Sequence, residues 1–249
     1  MKKPTEAALA IIGNEILSGR TQDTNLAYLA KFLNELGIRL MEVRVVPDVE
    51  SDIIDSVAAL KKRYTYVFTT GGIGPTHDDI TTASIAKMFG KPIEAHPDAL
   101  RRLEKHYSSA GQPFNEARRK MAIVPVGATL IDNPISVAPG FYIENVFVLA
   151  GVPKIMQAML DGLRPMLKGG TPMHSVTVST YLTEGMIASE LGTVQEKNPE
   201  VEIGSYPFIR DGKLGTSLVM RGYEMEKIHV ATAAVKQLIV AKGGAVLSE

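Results

Sequence analysis

The sequence contains no cysteine and no tryptophan, and only 6% of its 249 residues are aromatic. The absence of cysteine excludes disulfide bonds, thiolate chemistry and zinc sites with sulfur ligands. Lysine plus arginine equals aspartate plus glutamate at 27 each, so the net charge is zero. This balance argues against broad electrostatic binding to nucleic acid or an anionic membrane, and we expect neither partner. No stripe of alternating aromatic and basic residues, typical of proteins that bind single-stranded nucleic acid, is visible in the sequence.

Long apolar runs are also missing. No run reaches the roughly 20 residues that a membrane-spanning helix needs, and the apolar segment 7–12 is too short for the core of a signal peptide. We therefore expect a cytoplasmic protein. With 45% hydrophobic residues, the chain can form one medium domain with a full core plus a smaller one.

The first two thirds of the chain alternate between strand and helix patterns. Predicted strands at 7–12, 38–46 and 65–70 are separated by helices that Thr24 and Ser51 would cap, and a loop is predicted at 13–23. Further helices are predicted from Pro97, from Asn115 and from 153 to about 167, with short strands at 128–131, 140–144 and 146–150. This order predicts a three-layer α/β/α fold with a mostly parallel sheet.

The best linker candidate is Lys168-Gly169-Gly170-Thr171-Pro172. Beyond it the patterns read β-α-β-β-α, which favours a small α+β unit of ferredoxin-like or KH-like type. We predict a first domain over 1–170 and a second over 171–249.

One segment, 69–81, is the most informative: Thr69-Thr70-Gly71-Gly72-Ile73-Gly74-Pro75-Thr76-His77-Asp78-Asp79-Ile80-Thr81. It follows a predicted strand and precedes a predicted helix, which places it where open α/β sheets bind ligands. Its glycines allow a close approach of the backbone to an anion. The adjacent carboxylates of Asp78 and Asp79 would repel a bare phosphate, so a divalent cation between the two is expected.

Two other carboxylates follow strands that should end at the same edge, Glu15 after the first and Asp48 after the second. Spacing alone favours a turn or cap residue at Asp48, and the alternative for Glu15 is an ordinary helix-start carboxylate. Three acidic loops at one edge are more specific together than any one of them alone. Gly151 and Lys154 flank Pro153 at a helix start, where free N–H groups form a second anion site and a lysine opposes the helix dipole.

Several common motifs are absent. The segment lacks the third glycine of the dinucleotide fingerprint, no Gly-Lys-Ser/Thr follows it, and the chain has no Gly-x-Ser-x-Gly elbow and no histidine pair with zinc-ligand spacing.

Three segments carry a family resemblance: Gly13-Asn14-Glu15-Ile16-Leu17-Ser18-Gly19 with Asn25, segment 71–81, and Ala138-Pro139-Gly140-Phe141. They are similar to the molybdopterin-binding fold of molybdopterin adenylyltransferases and, more closely, of the CinA (competence/damage-inducible) family, over residues 7–168. On this match Asp79 takes the place of the adenylyltransferases' essential aspartate, and Asp48 that of a second functional aspartate. The tail segments 204–208 and 217–222 resemble eukaryotic FAD synthases, whose amino-terminal half carries this fold.

The resemblance implies binding of a phosphorylated nucleotide or pterin, with molybdopterin as one candidate ligand, and metal-dependent hydrolysis of a nucleotide pyrophosphate such as ADP-ribose. Adenylyl transfer in molybdenum-cofactor synthesis and a non-catalytic binding role are the alternatives. The expected metal is Mg²⁺, Mn²⁺ or Co²⁺ on Asp78 and Asp79, with a homo-oligomer, dimer or trimer, as the assembly. Expected catalytic residues are Asp79, Asp48 and Glu15; expected ligand-binding residues are Gly13, Asn14, Asn25, Gly71, Gly72, Gly74, Pro75, Thr76, Gly151 and Lys154.

The chain departs from the CinA pattern in two places. Where CinA proteins carry Pro-Gly-Pro-Pro-x-Glu-Met, this chain has Ala150-Gly151-Val152-Pro153-Lys154-Ile155-Met156, with Ile155 in place of the glutamate. Residues 133–140 also differ from the usual Asn-x-Thr-Gly-x-Ala-x-Gly. Full-length CinA continues into an amidohydrolase domain, so its deamidase activity is not expected of this chain.

Overall fold

The structure, a computed structural model, describes residues 5–247. It separates into two compact units, the first ending at Gly170 and the second beginning at Thr171. The outermost residues of both predicted domains, 1–4 and 248–249, lie outside the described part.

The first unit contains eight strands and seven helices within its described residues. Its strands are β1 (Thr5–Ile12), β2 (Ile38–Val46), β3 (Tyr66–Thr70), β4 (Ile93–Ala95), β5 (Ile123–Pro125), β6 (Thr129–Ile131), β7 (Gly140–Ile143) and β8 (Val146–Leu149). Its helices are α1 (Asn14–Leu17), α2 (Asn25–Glu35), α3 (Glu50–Arg63), α4 (Thr81–Met88), α5 (Pro97–Ser109), α6 (Glu116–Lys120) and α7 (Pro153–Leu163).

Strand β1 lies inside the main sheet and is covered on both faces. Because side chains alternate along a strand, Leu9 and Ile11 pack with α2 and α7, whereas Ala8, Ala10 and Ile12 pack with α3 and α4. Two separate cores on the two faces of one sheet form the three-layer α/β/α fold, as predicted.

The main sheet has the strand order β2-β1-β3-β8-β7-β6. The first four strands are parallel, and β7 and β6 are antiparallel to their neighbours. The carboxyl ends of β2, β1, β3 and β8 therefore meet at one edge of the sheet, and each is followed by a loop that carries predicted site residues.

Several local predictions are wrong. Segment 13–23, expected to be a loop, contains helix α1, and Ser51 lies inside α3 rather than at its cap. Thr24 stands at the start of α2 but makes no side-chain cap bond; Asp23 instead accepts the N–H of Leu26 at 2.9 Å. The helix predicted to 167 ends at Leu163, and strands β4 and β5 were not expected from the pattern.

The end of the first unit, residues 168–170, is hydrogen-bonded to the rest of that unit. The Lys168 N–H donates to the Tyr66 hydroxyl at 2.9 Å, and the Gly170 N–H donates to the Gly37 carbonyl at 3.1 Å. A side chain at Gly169 would collide with the main chain, since its Cβ would lie 1.6 Å from the Leu36 carbonyl oxygen.

We expect residues 1–170, expressed alone, to be soluble and to unfold cooperatively, because this unit has its own two-sided core. A fragment that ends at residue 167 should unfold at a lower temperature, since it lacks both of these hydrogen bonds. Circular dichroism during heating measures the difference. An unfolded 1–170 fragment would mean that the boundary lies elsewhere.

The second unit consists of β9 (His174–Thr180), α8 (Glu184–Lys197), β10 (Glu202–Arg210), β11 (Lys213–Gly222), α9 (Met225–Ala241) and β12 (Val246–Leu247). It is the expected β-α-β-β-α arrangement with one further strand, which lies at the edge of an antiparallel sheet of order β10-β11-β9-β12. Its core lies between one sheet face and the two helices and includes Leu218, Met220, Ile187, Ile228 and Val235.

None of the helices within residues 5–247 is long and apolar enough to cross a membrane.

Candidate functional site at the strand ends

A small cavity lies at the carboxyl ends of β1, β3 and β8. This strand-end cavity has a volume of about 60 Å³ and is lined by Glu15, segment 21–25, Thr70, Gly71 and Gly151, among others. Pockets that enclose whole small-molecule ligands measure about 300–1,000 Å³. The strand-end cavity can therefore hold one group of a larger ligand, whose remainder would extend beyond the rim.

The floor of the strand-end cavity is main chain. A Cβ atom at Gly71 would lie 2.1 Å from the Ile12 carbonyl oxygen, and one at Gly151 would lie 3.2 Å from the Gly71 Cα atom. Gly71 also has a φ of 100°, which side chains disfavour. Glycine at these positions lets the ends of three neighbouring strands meet without an intervening side chain.

Two polar side-chain atoms on residues that line this cavity are buried without a hydrogen-bond partner, the Asn25 Oδ1 and the Thr70 Oγ1 atoms. Asn25 is held in place by its other amide atom, since its Nδ2 donates to the Gly151 carbonyl at 2.8 Å. Buried polar groups are nearly always satisfied, so each exception calls for an explanation. The hydroxyls of Ser56, Thr69 and Thr81 are unpartnered in the same way, and Asn25 and Thr70 differ from them in belonging to residues that line the strand-end cavity.

The carboxylate of Asp48 accepts a hydrogen bond from the main chain at the start of α1. Its Oδ2 accepts the main-chain N–H of Asn14 at 2.9 Å, and the neighbouring Gly13 N–H donates to the Val46 carbonyl at 3.1 Å. Asp48 thus holds the start of α1, which presents Glu15 to the strand-end cavity. Gly13, Asn14 and Asp48 themselves do not line it.

Asp79 folds back over the glycine-rich segment. Its Oδ2 accepts from the Thr76 main-chain N–H at 2.8 Å and from the Thr76 hydroxyl. A Cβ atom at Gly74 would lie 2.7 Å from the same carboxylate oxygen, so glycine makes this close turn possible. Asp79 is half-buried, whereas Pro75, Thr76, His77 and Asp78 are exposed.

A hydrogen bond from Thr76 is the main cause that lowers the pKa of the Asp78 carboxyl, and the positive charge of nearby Lys120 adds to it. Asp78 therefore stays ionised at neutral and mildly acidic pH.

Lys120, which sequence reasoning missed, fixes this segment from the other side. Its Nζ donates to the carbonyl of Asp79 at 3.0 Å and also to the carbonyl of Thr76. It lines a second cavity of about 70 Å³, the lysine cavity, together with Ile73, Gly74, Asp79, Pro139 and Phe141. Lys120 belongs to α6 and follows two arginines, so no sequence signal distinguished it from a solvated basic run.

The predicted site residues thus fall into two groups at one edge of the sheet. Glu15, Asn25, Gly71 and Gly151 line the strand-end cavity, and Gly74 and Asp79 line the lysine cavity. The glycine-rich segment runs from one to the other. Gly72, Pro75, Thr76 and Asp78 lie on that segment without lining either cavity, and Lys154 is exposed in the first turn of α7.

Within residues 5–247, no cluster of three or more His, Asp or Glu side chains could hold a metal ion. The adjacent carboxylates of Asp78 and Asp79 fit a different type of site. Mg²⁺ in nucleotide enzymes is often bound through one or two carboxylates, with substrate phosphates and waters as the other ligands. The residues present fit a metal that arrives with a phosphorylated ligand.

Comparison with known proteins identifies the family of the first unit. Residues 8–169 match the model of a family described as probable molybdopterin binding domain. The chain belongs to this molybdopterin-binding domain family. Residues 172–244 match a second model, FAD synthase middle domain, which coincides with the second unit.

Individual proteins are similar to this chain over much of its length. A protein from Archaeoglobus fulgidus is 34% identical over 235 residues, covering 94% of this chain and 98% of the relative. A CinA-like protein from Geotalea uraniireducens is 38% identical over 154 residues, covering 60% of this chain but 37% of that longer protein.

The crystal structure of CinA from Thermoplasma acidophilum, described as being of unknown function, superposes with a TM-score of 0.61 at 34% identity. The match covers 66% of this chain and 98% of that one. The CinA-like resemblance seen in the sequence is thereby confirmed. The family's glutamate remains absent, and Ile155, which stands there, packs partly buried against the core beneath α7.

Proposed function

We propose that the first unit binds a phosphorylated nucleotide or pterin at the strand ends and hydrolyses a nucleotide pyrophosphate of the ADP-ribose type. The observation that carries this proposal is the pair of unpartnered buried atoms on Asn25 and Thr70 beside a main-chain floor. The glycine-rich segment leads from this cavity toward the carboxylates of Asp78 and Asp79.

Each group has a role that follows from its position. Asn25 and Thr70 hydrogen-bond the group in the strand-end cavity, and main-chain N–H groups of the glycine-rich segment hold phosphate oxygens. Asp78 and Asp79 would hold a divalent metal, which polarises the phosphoryl group and lowers the pKa of water when bound. Glu15, which Asp48 positions through α1, orients the attacking water.

The direct test is a screen of the purified full chain with Mg²⁺, Mn²⁺ and Co²⁺ against ADP-ribose and other dinucleotide pyrophosphates. We expect metal-dependent release of two monophosphates, measured by chromatography. A parallel reaction with ATP and molybdopterin tests adenylyl transfer. If inorganic pyrophosphate is released in that reaction and no dinucleotide pyrophosphate is hydrolysed in the screen, the carboxylates serve adenylyl transfer instead of hydrolysis.

A non-catalytic binding role is the second candidate. The observation that favours it is the use of one Asp79 carboxylate oxygen on Thr76, in a segment that Lys120 also fixes. Tight binding of a nucleotide or pterin by calorimetry, without turnover under any metal, would decide for this role.

The unpartnered hydroxyl of Thr70 allows a direct test of whether the ligand enters the strand-end cavity. Thr70→Val keeps the shape of the side chain and removes the Oγ1 atom. We expect ligand affinity to fall about tenfold, the value of one good hydrogen bond, while the free energy of unfolding does not decrease. Isothermal titration with the best ligand of the screen, together with urea unfolding, measures both quantities.

Thr69→Val is the matched control. Thr69 is the preceding residue of β3, and its hydroxyl is also buried and unpartnered, but it does not line the strand-end cavity. This variant should bind like the wild type. Equal affinity of wild type and Thr70→Val would show that the ligand does not reach Thr70.

Lys120→Met removes the two hydrogen bonds that fix the glycine-rich segment while keeping the length of the side chain. We expect KM for the pyrophosphate to rise about tenfold, because the segment must then be ordered by the substrate. Lys105→Met, at an exposed position of α5, should leave KM unchanged. A wild-type KM in Lys120→Met would mean that the segment holds its shape without the lysine.

A further inference from the structure

The sheet of the second unit has one face that no helix of that unit covers. Strand pairing places Ser205 opposite Leu218 and Ile203 opposite Met220, on the face that packs against α8 and α9. The intervening residues point to the other face because side chains alternate. These include Tyr206 and Phe208 of β10.

The open face carries three aromatic rings, those of Tyr181, Tyr206 and Phe208. Tyr206 is 45% exposed and Tyr181 is 39% exposed. The rings of Tyr181 and Phe208 are neighbours, with centroids 6.1 Å apart. Three rings on one open face are unusual in a chain in which only 6% of residues are aromatic.

Two glycines allow these rings to lie against the sheet. A Cβ atom at Gly215 would lie 2.4 Å from the Phe208 ring, and a Cβ atom at Gly204 would lie 2.9 Å from the Tyr206 ring. The rings of Tyr206 and Phe208 therefore each rest over a glycine of the sheet.

A cation accompanies each ring. Arg221 lies 5.8 Å from the Tyr206 centroid and donates to its hydroxyl at 3.1 Å. Arg210 lies 5.4 Å from the Phe208 centroid, and the Lys213 Nζ lies 5.6 Å from the Tyr181 centroid. In each pair the cation lies over the ring. A base that stacks on that ring must displace the cation, which can then meet a phosphate.

We propose that this open face, the aromatic strip of Tyr181, Tyr206, Phe208, Arg210, Lys213 and Arg221, binds single-stranded nucleic acid. Bases stack on aromatic side chains without regard to sequence, and cations beside the rings meet the phosphates that link them. Several rings in a row suit several successive bases, whereas a mononucleotide would use only one. A duplex keeps its bases stacked on each other and cannot use the rings.

This inference departs from the expectation, drawn from the neutral net charge, that nucleic acid is not a partner. The six residues are spread over 181–221, and only the pairing of β10 with β11 and the position of Tyr181 bring them together. Two acidic residues lie beside the strip: Glu202 stands directly opposite Arg221 in the pairing of β10 with β11, and Asp211 lies in the turn between Arg210 and Lys213. The three cations of the strip outnumber these two carboxylates, so its local charge is still positive. A local strip can attract phosphates when the whole chain carries no net charge.

The experiment measures anisotropy of a fluorescein-labelled ten-nucleotide oligouridylate titrated with the full chain at about 50 mM salt. We expect a Kd on the order of 10 μM, and UMP and a ten-base-pair duplex should compete poorly. With three phosphate contacts, the logarithm of affinity should fall with the logarithm of salt concentration with a slope of about −2.

Tyr206→Leu and Phe208→Leu test the rings, since leucine still covers the glycine but offers no stacking surface. Each should weaken binding about tenfold, whereas Tyr206→Phe should keep wild-type affinity. Arg221→Gln should weaken binding and make the salt slope less steep. Lys197→Gln removes a positive charge from α8, on the helix-covered side, and should change neither quantity.

Three outcomes overturn the proposal: no binding of the oligonucleotide, equal binding of the duplex, or unchanged affinity in both leucine variants at unchanged melting temperature. The last outcome would mean that the rings of Tyr206 and Phe208 only cover Gly204 and Gly215 and do not bind nucleic acid. These results are independent of the pyrophosphatase test, which concerns the first unit.

Discussion

Asp79→Asn should lower the rate of pyrophosphate hydrolysis at least a hundredfold. The substitution keeps the size of the side chain and an oxygen that can accept from Thr76, so the glycine-rich segment keeps its shape. It removes the negative charge that binds a cation or an acid/base group, and loss of such a role costs about a hundredfold or more. Steady-state kinetics over a range of metal concentrations measures the effect.

Asp78→Asn and His77→Ala are the companion variants. Asp78→Asn should raise the metal concentration needed for half-maximal rate more than it changes ligand affinity. His77→Ala should have the smallest effect, because main-chain amides supply most of the phosphate contact in this arrangement. Wild-type turnover by Asp79→Asn would exclude the assigned role of this carboxylate.

Gly71→Ala should be among the most destabilising single substitutions in the first unit. The new methyl group would lie 2.1 Å from the Ile12 carbonyl oxygen, at a residue whose φ is 100°. The end of β3 would have to move away from β1, at a cost of roughly 3 kcal/mol or more. Urea unfolding followed by circular dichroism measures the loss of stability.

Gly90→Ala separates the effect of backbone strain from that of the collision. Gly90 follows α4 with a φ of 61°, and within the described chain no atom beyond its immediate neighbours lies within 4 Å of the place that a Cβ atom would take. Only the left-handed conformation is then unfavourable, at about 1–2 kcal/mol. Similar losses of stability in the two variants would contradict the close approach of Gly71 to Ile12.

The arrangement of the site was predictable to the extent that it follows from strand order. Buried runs such as 7–12 and 66–70 give parallel strands, and parallel strands place Glu15, Asp48 and Gly71 at one edge. Hydrophobic pattern carries this information because both faces of the sheet are buried.

Contacts made by single side chains were not predictable in the same way. The hydrogen bond from Lys120 to the carbonyl of Asp79 joins residues 41 positions apart. The sequence around residue 120 does not indicate which residue Lys120 contacts. The contact between Asp48 and Asn14 is similar, since a carboxylate after a strand is equally suited to catalysis and to holding a helix start. The division of the site into two cavities also depends on loop geometry rather than on pattern.

The main-chain floor of the strand-end cavity limits how ligand choice can change among related proteins. A side chain at Gly71 would collide with the Ile12 carbonyl, and one at Gly151 would press on the main chain of Gly71, so mutation at these two positions adds a new chemical group only by moving the strand ends. Selectivity must come from the walls, where Glu15 and segment 21–24 offer side chains that can vary without disturbing the sheet. Chains that share this floor and differ in those walls should share the anchoring of one ligand group and diverge in what they accept beyond it.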